Sequence, residues 1–325
     1  MVSRRLVSIP LFLGLTVALT SLAPLLLLAA LAVTPLPQLR GSLPTLLFLL
    51  GYLWCETIGI MRAFTIWLRY REPETFLEAN YRLQCWWANA LKVIAETVYR
   101  LRFEVQGADA LKGPGAIMLP RHASIADTII PMVYYAIPQG IRLRYVLKKE
   151  LLIDPCLDIV GNRLPNLFVD RGGQDSERAR RAVAELAQHL DPNEGVLIYP
   201  EGTRFSAEKQ QALRLRYRDS AEMQDQLDRW RDLLPPRLGG TLALLQANPG
   251  RDLLFCAHRG FEGSSHFSNL VNGSWMGARI SIRFWRVPYG QVPKDAAAQQ
   301  AFLFSQWDRM QESLQALGNS GSGRS

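Results

Sequence analysis

A histidine and an aspartate, His122 and Asp127, form the pair with the clearest chemical potential in the sequence. They lie in the segment RHASIAD, directly after the apolar run AIML. A histidine that takes a proton from an alcohol needs its second ring nitrogen held as a donor, and a nearby carboxylate holds it and stabilises the imidazolium that forms. The pair therefore predicts a general base with its orienting acid.

The same segment also fits a purely structural interpretation. Ser124 stands three residues before Asp127, which matches the capping pattern at the start of a helix. In that case Asp127 only caps a helix and His122 is a loop residue. The spacing by itself leaves both interpretations open.

A second group of polar residues, Glu201, Gly202, Thr203 and Arg204, follows the apolar run GVLI within the segment YPEGTR. Glycine allows close backbone approach, and the hydroxyl and guanidinium groups suit a phosphate. The alternative is a turn with a surface ion pair.

A third segment, NLFVDR, also places charged residues at the end of an apolar run. Ligands of open α/β sheets gather at the carboxyl ends of the strands. We therefore expect His122, Arg171 and the Glu201/Arg204 turn to meet at one edge of a sheet.

Short β-rich runs alternate with helical segments from Leu101 onwards, which predicts an α/β fold: a layered domain with a mainly central sheet flanked by helices. The expected strands are LRFEV, AIML, RYVL, NLFV, GVLIY, DLLF and ARISIRFW. The expected helices cover 124–137, 175–190, 206–234, 238–248 and 294–316. We predict a membrane-anchoring hairpin at 1–70, the α/β domain at 71–317 and a disordered tail at 318–325.

The N-terminus is apolar enough to enter a membrane. Leu6 to Val33 carries no charge, and a second apolar stretch follows from Leu43 to Leu53. An α-helix needs roughly 20 residues to cross the hydrocarbon core. Arginines before and after the pair predict a hairpin with both ends in the cytoplasm. The alternatives are a cleaved signal peptide for the first stretch and, because of Glu56, a re-entrant or interfacial second helix.

Composition narrows the class of protein. Apolar residues make up 48% and charged residues 20% of the 325-residue chain, which excludes general disorder. The net charge of +8 favours an anionic partner, and the apolar N-terminus favours lipid over nucleic acid. Four cysteines stand far apart with no ligand spacing, so neither a zinc site nor a disulfide framework is predicted, and we expect reduced, buried thiols.

Taken together, RHASIAD, FVDR and YPEGTR resemble the blocks of the glycerolipid acyltransferase family, which includes 1-acylglycerol-3-phosphate acyltransferases. The resemblance covers residues from about 100 to 260, and LLPPRLGG is similar to the branch with an N-terminal membrane hairpin. It implies a catalytic base and orienting acid at His122 and Asp127. It further implies that the glycerol-phosphate acceptor is bound by Phe168, Asp170, Arg171, Glu201, Gly202, Thr203 and Arg204.

The resemblance implies acyl transfer from acyl-CoA or an acyl carrier protein to 1-acyl-glycerol-3-phosphate at the cytoplasmic face of a bacterial inner membrane, with no cofactor or metal. The oligomeric state is left open. Another lysolipid acceptor is the alternative substrate, and a non-catalytic basic membrane protein is the alternative class. A hydrolase is disfavoured because the chain has no G-x-S-x-G nucleophile. Arg121 departs from the family, which often has Asn before the histidine.

Overall fold

The computed structural model describes residues 2–170, 176–261 and 268–322. The chain divides into two compact units. Unit 1 comprises Met1–Arg102, Leu147–Arg171 and His266–Ala278, and unit 2 comprises Phe103–Val146, Gly172–Ser265 and Arg279–Ser325. These units differ from the sequence-based division at residue 70, because helices from later in the chain pack on the N-terminal ones.

The described residues begin with three long helices, after which strands are interspersed with helices. The helices are α1 (Val2–Val33), α2 (Ser42–Arg69), α3 (Pro73–Tyr99), α4 (Ile137–Gln139), α5 (Pro155–Gly161), α6 (Ser176–Glu185), α7 (Ala207–Arg216), α8 (Ala221–Arg229), α9 (Leu238–Gln246), α10 (Ser268–Val271) and α11 (Ala296–Ser322). The strands are β1 (Arg102–Gln106), β2 (Ile117–Pro120), β3 (Arg142–Lys148), β4 (Leu167–Val169), β5 (Glu194–Leu197), β6 (Leu253–Arg259) and β7 (Arg279–Val287).

The strands form one seven-stranded sheet in the order β1-β7-β6-β2-β5-β3-β4. Strand β2 runs parallel to both β5 and β6, whereas β7 is antiparallel to β6. All four residues of β2 are buried, as expected for a central strand covered on both faces. The α/β fold class and its central sheet are thus confirmed, and each predicted apolar run contains one strand.

Two helices of unit 1 are long and apolar enough to cross a membrane. The qualifying segments are Arg4–Val33 in α1 and Ser42–Arg69 in α2, with mean hydropathies of 2.3 and 1.5. Most of α1 is exposed, whereas about two fifths of the apolar window of α2 is buried inside the protein. Length and composition alone do not separate a membrane span from a signal sequence or a core helix.

The start of α1 is fixed to α5 by a buried carboxylate. Asp158 is fully buried and forms ion pairs with Arg4 at 2.8 Å and Arg5 at 3.1 Å. Burial raises the pKa of Asp158, but the hydrogen bonds and charges of the two arginines outweigh it, so the pKa lies below its ordinary value. The basic start of the chain is therefore part of the packed structure of unit 1.

Glu56, the charge that interrupts the second apolar stretch, is fully buried inside unit 1. Its oxygens accept hydrogen bonds from Trp87 Nε1 at 2.6 Å and from the Cys156 backbone amide at 3.1 Å. An intramembrane carboxyl is tolerated where the protein itself satisfies it. The polar face of α2 is therefore turned towards α3 and α5.

Helix α3 has clear start and stop signals. The Glu72 carboxylate accepts hydrogen bonds from the amides of Glu74 and Thr75, and Pro73 occupies the first turn. The helix ends at Arg100, which adopts the left-handed region with φ of 56°.

The helical predictions for unit 2 hold in part. The segment 124–137 is not one regular helix but a 3-10 turn followed by a π-helix, with Pro131 between them. The segment 206–234 contains two helices, α7 and α8, because Ser220 begins a new helix by accepting from the Met223 amide. Pro131 marks the first break, whereas no glycine or proline marks the second one within the charged stretch.

The C-terminal helix α11 is longer than expected. It continues to Ser322, past the predicted start of the tail at Gly318, and residues 323–325 lie outside the described part. Leu314 and Leu317 are buried, so packing extends to the point where the polar tail begins. The four cysteines are free thiols, three of them buried and Cys85 partly exposed.

Candidate active site

The side chains of His122 and Asp127 meet in unit 2 at the carboxyl end of β2. His122 Nδ1 lies 3.0 Å from Asp127 Oδ1. Because a carboxylate accepts, Nδ1 carries the hydrogen, and Nε2 keeps its lone pair. No hydrogen bond engages Nε2 within the described residues. This is the tautomer that a general base requires.

Asp127 also caps the turn that carries it. Its Oδ2 accepts hydrogen bonds from the backbone amides of Ala123 at 2.6 Å and Ser124 at 2.7 Å. Burial raises the pKa of Asp127, but the charge and hydrogen bond of His122 and those of His258 hold it below its ordinary value. The two interpretations of this residue are therefore compatible: one oxygen caps the turn and the other orients His122.

Tyr199, two residues beyond β5, lies beside the pair formed by His122 and Asp127, called the dyad below. Its ring packs on His122 with a centroid distance of 4.4 Å, and its hydroxyl donates to the Asp127 carbonyl at 3.3 Å. Burial, and then the charge of Asp127, raises the pKa of Tyr199 well above its ordinary value. The phenol is therefore a neutral donor.

Glu201 joins the turn after β5 to the loop that bears His122. Its Oε1 accepts from the His122 amide at 2.6 Å and its Oε2 from the Leu234 amide at 2.9 Å. Burial raises the pKa of Glu201 to about 8, against the lowering effect of these two hydrogen bonds. Both oxygens thus accept hydrogen bonds from backbone amides, and the substrate contact expected for this residue stays a prediction.

Basic side chains surround the rest of the YPEGTR turn. Arg204 has its Nη1 buried without a hydrogen-bond partner among the described residues. Lys209, from α7, donates to Thr203 Oγ1 at 3.0 Å and to the Arg204 carbonyl at 2.7 Å. Gly202 has φ of +68°, and a Cβ there would lie 2.6 Å from Cδ of Arg237. The turn is therefore bordered by three basic side chains.

Arg121, which stands where the family often has Asn, is a buried structural residue. Its Nη1 donates to the His258 carbonyl at 2.6 Å, and its Nη2 donates to the Asp232 carbonyl at 3.0 Å. The side chain is 1% exposed. Arg121 therefore links the end of β2 to β6 and to the segment before α9.

A second histidine, His258 on β6, completes the buried surroundings of Asp127. Its Nε2 lies 3.4 Å from Asp127 Oδ2 and 3.2 Å from the Arg121 carbonyl oxygen. The parallel register, which pairs Pro120 with Cys256, brings the two histidine-bearing ends side by side.

Residues 102–245, which include the dyad and the YPEGTR turn, match the family model described as Acyltransferase. The chain carries an acyltransferase domain. The family assignment made from the three sequence blocks is thus confirmed for this region. No curated protein sequence matches the chain significantly.

The fold around the acyltransferase domain is also found in a solved structure. The 1-acyl-sn-glycerophosphate (LPA) acyltransferase PlsC from Thermotoga maritima is similar with a TM-score of 0.58 and 15% sequence identity. The similarity covers 86% of this chain and 98% of PlsC. At this identity the match concerns the fold alone.

The structure places the predicted site residues of the acyltransferase domain unequally. His122, Asp127, Glu201, Gly202, Thr203 and Arg204 all belong to unit 2 and follow the adjacent strands β2 and β5. Arg171 lies outside the described residues. Phe168 and Asp170 belong to unit 1, where the exposed Asp170 lies 3.9 Å from Lys149.

Two residues around the dyad, His258 and Arg237, were not singled out from the sequence. His258 lies in the segment DLLFCAHRG, of which only DLLF was predicted, as a strand. A histidine near the carboxyl end of an apolar run is the signal that indicates it. Arg237 directly precedes α9 within LLPPRLGG, a segment used from the sequence only as a family resemblance, and its position over Gly202 depends on tertiary packing.

Proposed function

We propose that this protein transfers a fatty-acyl group from an acyl thioester to the free hydroxyl of a lysophospholipid. The proposed acceptor is 1-acyl-glycerol-3-phosphate, and the proposed product is phosphatidic acid. The observation that carries the proposal is the His122 ring, held by Asp127 through Nδ1 while Nε2 has no hydrogen-bond partner among the described residues.

In the proposed reaction, Nε2 of His122 takes the proton of the acceptor hydroxyl as that oxygen attacks the thioester carbonyl. The tetrahedral intermediate then expels the thiolate, which receives the proton from His122 and leaves as a thiol. The ester bond forms as the carbon–sulfur bond breaks. General-base catalysis of this kind contributes about 10²–10⁴-fold, so binding and orientation of the two substrates supply the rest.

The ionised carboxylate of Asp127 has a defined part in this scheme. It stabilises the imidazolium that exists between the two proton transfers. The lowered pKa of Asp127 keeps it charged at neutral pH. Two backbone amides fix its second oxygen, so that the carboxylate does not need to reorganise during turnover.

A phosphate-bearing acceptor is favoured by the turn beside the dyad. Arg204 has a buried, unpartnered Nη1 among the described residues, and a buried donor without an acceptor costs free energy that an anionic ligand offsets. Lys209 and Arg237 border the same turn. We assign Arg204 as the principal phosphate ligand, with Arg237 as an additional cation; a substrate-binding role for Arg171, which lies outside the described residues, stays a prediction from the sequence.

Membrane attachment through α1 and α2 suits a lipid substrate. The length and hydropathy of both helices support it. The ion pairs of Arg4 and Arg5 with Asp158 favour an α1 that stays attached over a cleaved signal peptide. By the positive-inside rule, we place the acyltransferase domain on the cytoplasmic face of a bacterial inner membrane.

The test is an acyl-transfer assay with the full chain in detergent. Labelled acyl-CoA or acyl carrier protein is offered with lysophosphatidic acid, with lysolipids of larger headgroup, or with monoacylglycerol. We expect labelled phosphatidic acid from the wild type and loss of that product with His122→Ala. Acylation of non-phosphate acceptors alone would contradict the role of Arg204, and release of free fatty acid without transfer would indicate a hydrolase.

A further inference from the structure

His258 is a buried histidine that the proposed reaction does not use directly. It lies on β6, next to β2 in the sheet, and is 1% exposed. Its ring packs edge-on against Phe261 with a centroid distance of 6.1 Å. A titratable side chain is costly to bury unless its hydrogen bonds serve the fold or the site.

The contacts of His258 fix its tautomer. The two neighbours of Nε2 are the Asp127 carboxylate at 3.4 Å and the Arg121 carbonyl at 3.2 Å, and both can only accept. Nε2 therefore carries the hydrogen. Nδ1 is buried and has no hydrogen-bond partner among the described residues, which fits the neutral ring.

His258 connects the Asp127 carboxylate to a neighbouring strand of the sheet. Oδ1 of Asp127 holds His122, whereas Oδ2 receives two backbone amides and lies beside His258 Nε2. Both amides come from the same short loop as Asp127, whereas His258 comes from a different strand. The histidine is therefore a contact between the carboxylate and the rigid sheet.

We propose that His258 is a positioning residue for acyl transfer: its Nε2–H fixes the Asp127 carboxylate so that Oδ1 stays aligned with His122 Nδ1. The inference rests on the proposed function and adds a third member to the dyad. This positioning role differs from a general stabilising role, because a substitution of His258 lowers turnover by displacing the Asp127 carboxylate.

Variants of His258 that differ in side-chain length and in the presence of an N–H donor distinguish the positioning role from a general stabilising role. His258→Gln keeps an N–H donor near the place of Nε2, His258→Asn has a donor that is too short to reach it, and His258→Leu has none. We expect kcat to fall on the order of 10- to 100-fold for Leu and Asn, as for a displaced catalytic group. Gln should restore kcat to within about 3-fold of the wild type, and KM for the acceptor should change less than about 2-fold in all three.

A double-mutant cycle tests whether the loss of kcat caused by substituting His258 depends on Asp127. In an Asp127→Ala background, His258→Leu should lower kcat no further. An equal loss in both backgrounds, or equal activity of the Gln and Asn variants, would overturn the inference. If the Leu variant does not fold, as judged by thermal unfolding in detergent, the Gln and Asn pair decides the question.

The tautomer of His122 can be measured without any lipid acceptor, so this inference can be tested separately from the proposed function. The chain has four histidines, so ¹⁵N-histidine labelling gives a tractable spectrum. We expect the Nδ1–H tautomer of His122 in the wild type and in His258→Gln, and a mixture of tautomers in His258→Asn. A wild type that acylates no lysolipid contradicts only the proposed function, whereas an unchanged His122 tautomer in His258→Asn contradicts this inference.

Discussion

Glu201 accepts a hydrogen bond from the backbone amide of His122 at 2.6 Å, which fastens the turn after β5 to the loop after β2. The other oxygen of Glu201 holds Leu234, whose carbonyl accepts from the fully buried Trp307 of α11 at 3.0 Å. The backbone position of His122 therefore depends on a buried carboxyl and, through it, on the C-terminal helix.

Glu201→Gln should alter the pH dependence of stability. The folded pKa of Glu201 is raised from 4.5 to about 8, so its contribution to stability is fully present below about pH 4.5 and is lost as pH rises through 8. The free energy of unfolding should therefore fall with pH in this window, by at most about 1.4 kcal/mol per pH unit from one group. Chemical denaturation in detergent at pH 5 to 8 measures it.

The Gln variant removes this titration and one of two acceptors for buried amides. We expect a flatter pH profile and a loss of about 1–3 kcal/mol at pH 5 from the unsatisfied amide. Parallel pH slopes for the wild type and Glu201→Gln would show that the carboxyl does not titrate in this range.

Asp127→Asn should affect turnover more than binding. An amide Nδ2 facing His122 would favour the tautomer with hydrogen on Nε2, which cannot accept the proton of the acceptor hydroxyl. In a Ser-His-Asp site the equivalent change lowers kcat about 10⁴-fold. We expect a loss of about 10²–10⁴-fold in kcat with little change in KM. Steady-state kinetics with lysophosphatidic acid measure both, and a large rise in KM at constant kcat would contradict the assignment.

Arg204→Gln should weaken phosphate recognition. A hydrogen bond to a charged group contributes about 1.5–3 kcal/mol, which corresponds to about 10- to 150-fold in kcat/KM for lysophosphatidic acid. Monoacylglycerol lacks the phosphate, so its residual acylation should not change. Arg237→Gln should act in the same direction with a smaller effect, because Arg237 is exposed.

The matched control for these arginines is Arg218→Gln. Arg218 is 79% exposed and pairs with Asp219, so its removal changes the net charge equally without touching the turn. Equal losses for Arg204→Gln and Arg218→Gln would indicate a general effect of charge on membrane or detergent binding.

Asp158→Asn should loosen the start of α1. The carboxylate is fully buried, whereas the side chains of Arg4 and Arg5 are about one third exposed, so we expect a loss of about 1–2 kcal/mol rather than the larger cost of a fully buried pair. Because the folded pKa of Asp158 is lowered, its contribution is present above the unfolded value of about 3.9 and is lost as pH falls below it.

Thermal unfolding of the detergent-solubilised protein at pH 7 and at about pH 3, below the unfolded value, measures this effect. Asp225→Asn serves as the control, because Asp225 forms an exposed pair with Arg229. An Asp158→Asn variant that unfolds like the control at both pH values would show that the ion pairs contribute nothing to stability.

The local sequence pattern determined the strands, the turn that carries His122 and Asp127, and the candidate membrane helices. Short β-rich runs predicted the seven strands, and the central ones, β2, β5 and β6, are mostly apolar because they are buried on both faces of the sheet. The spacing of His122 and Asp127 was enough to place both in one turn, since a short loop brings nearby side chains together. Uncharged length predicted the first candidate membrane helix, and a shorter apolar stretch from Leu43 to Leu53 indicated the second.

Tertiary structure alone decided what surrounds the pair. His258 lies beside Asp127 because β6 pairs with β2, and such non-local pairing is not encoded in either strand by itself. Likewise, the buried contacts of Arg121 and the two amides held by Glu201 depend on segments distant in sequence. The residues proposed to perform chemistry were thus visible as local motifs, whereas the contacts that hold them in place required the assembled sheet.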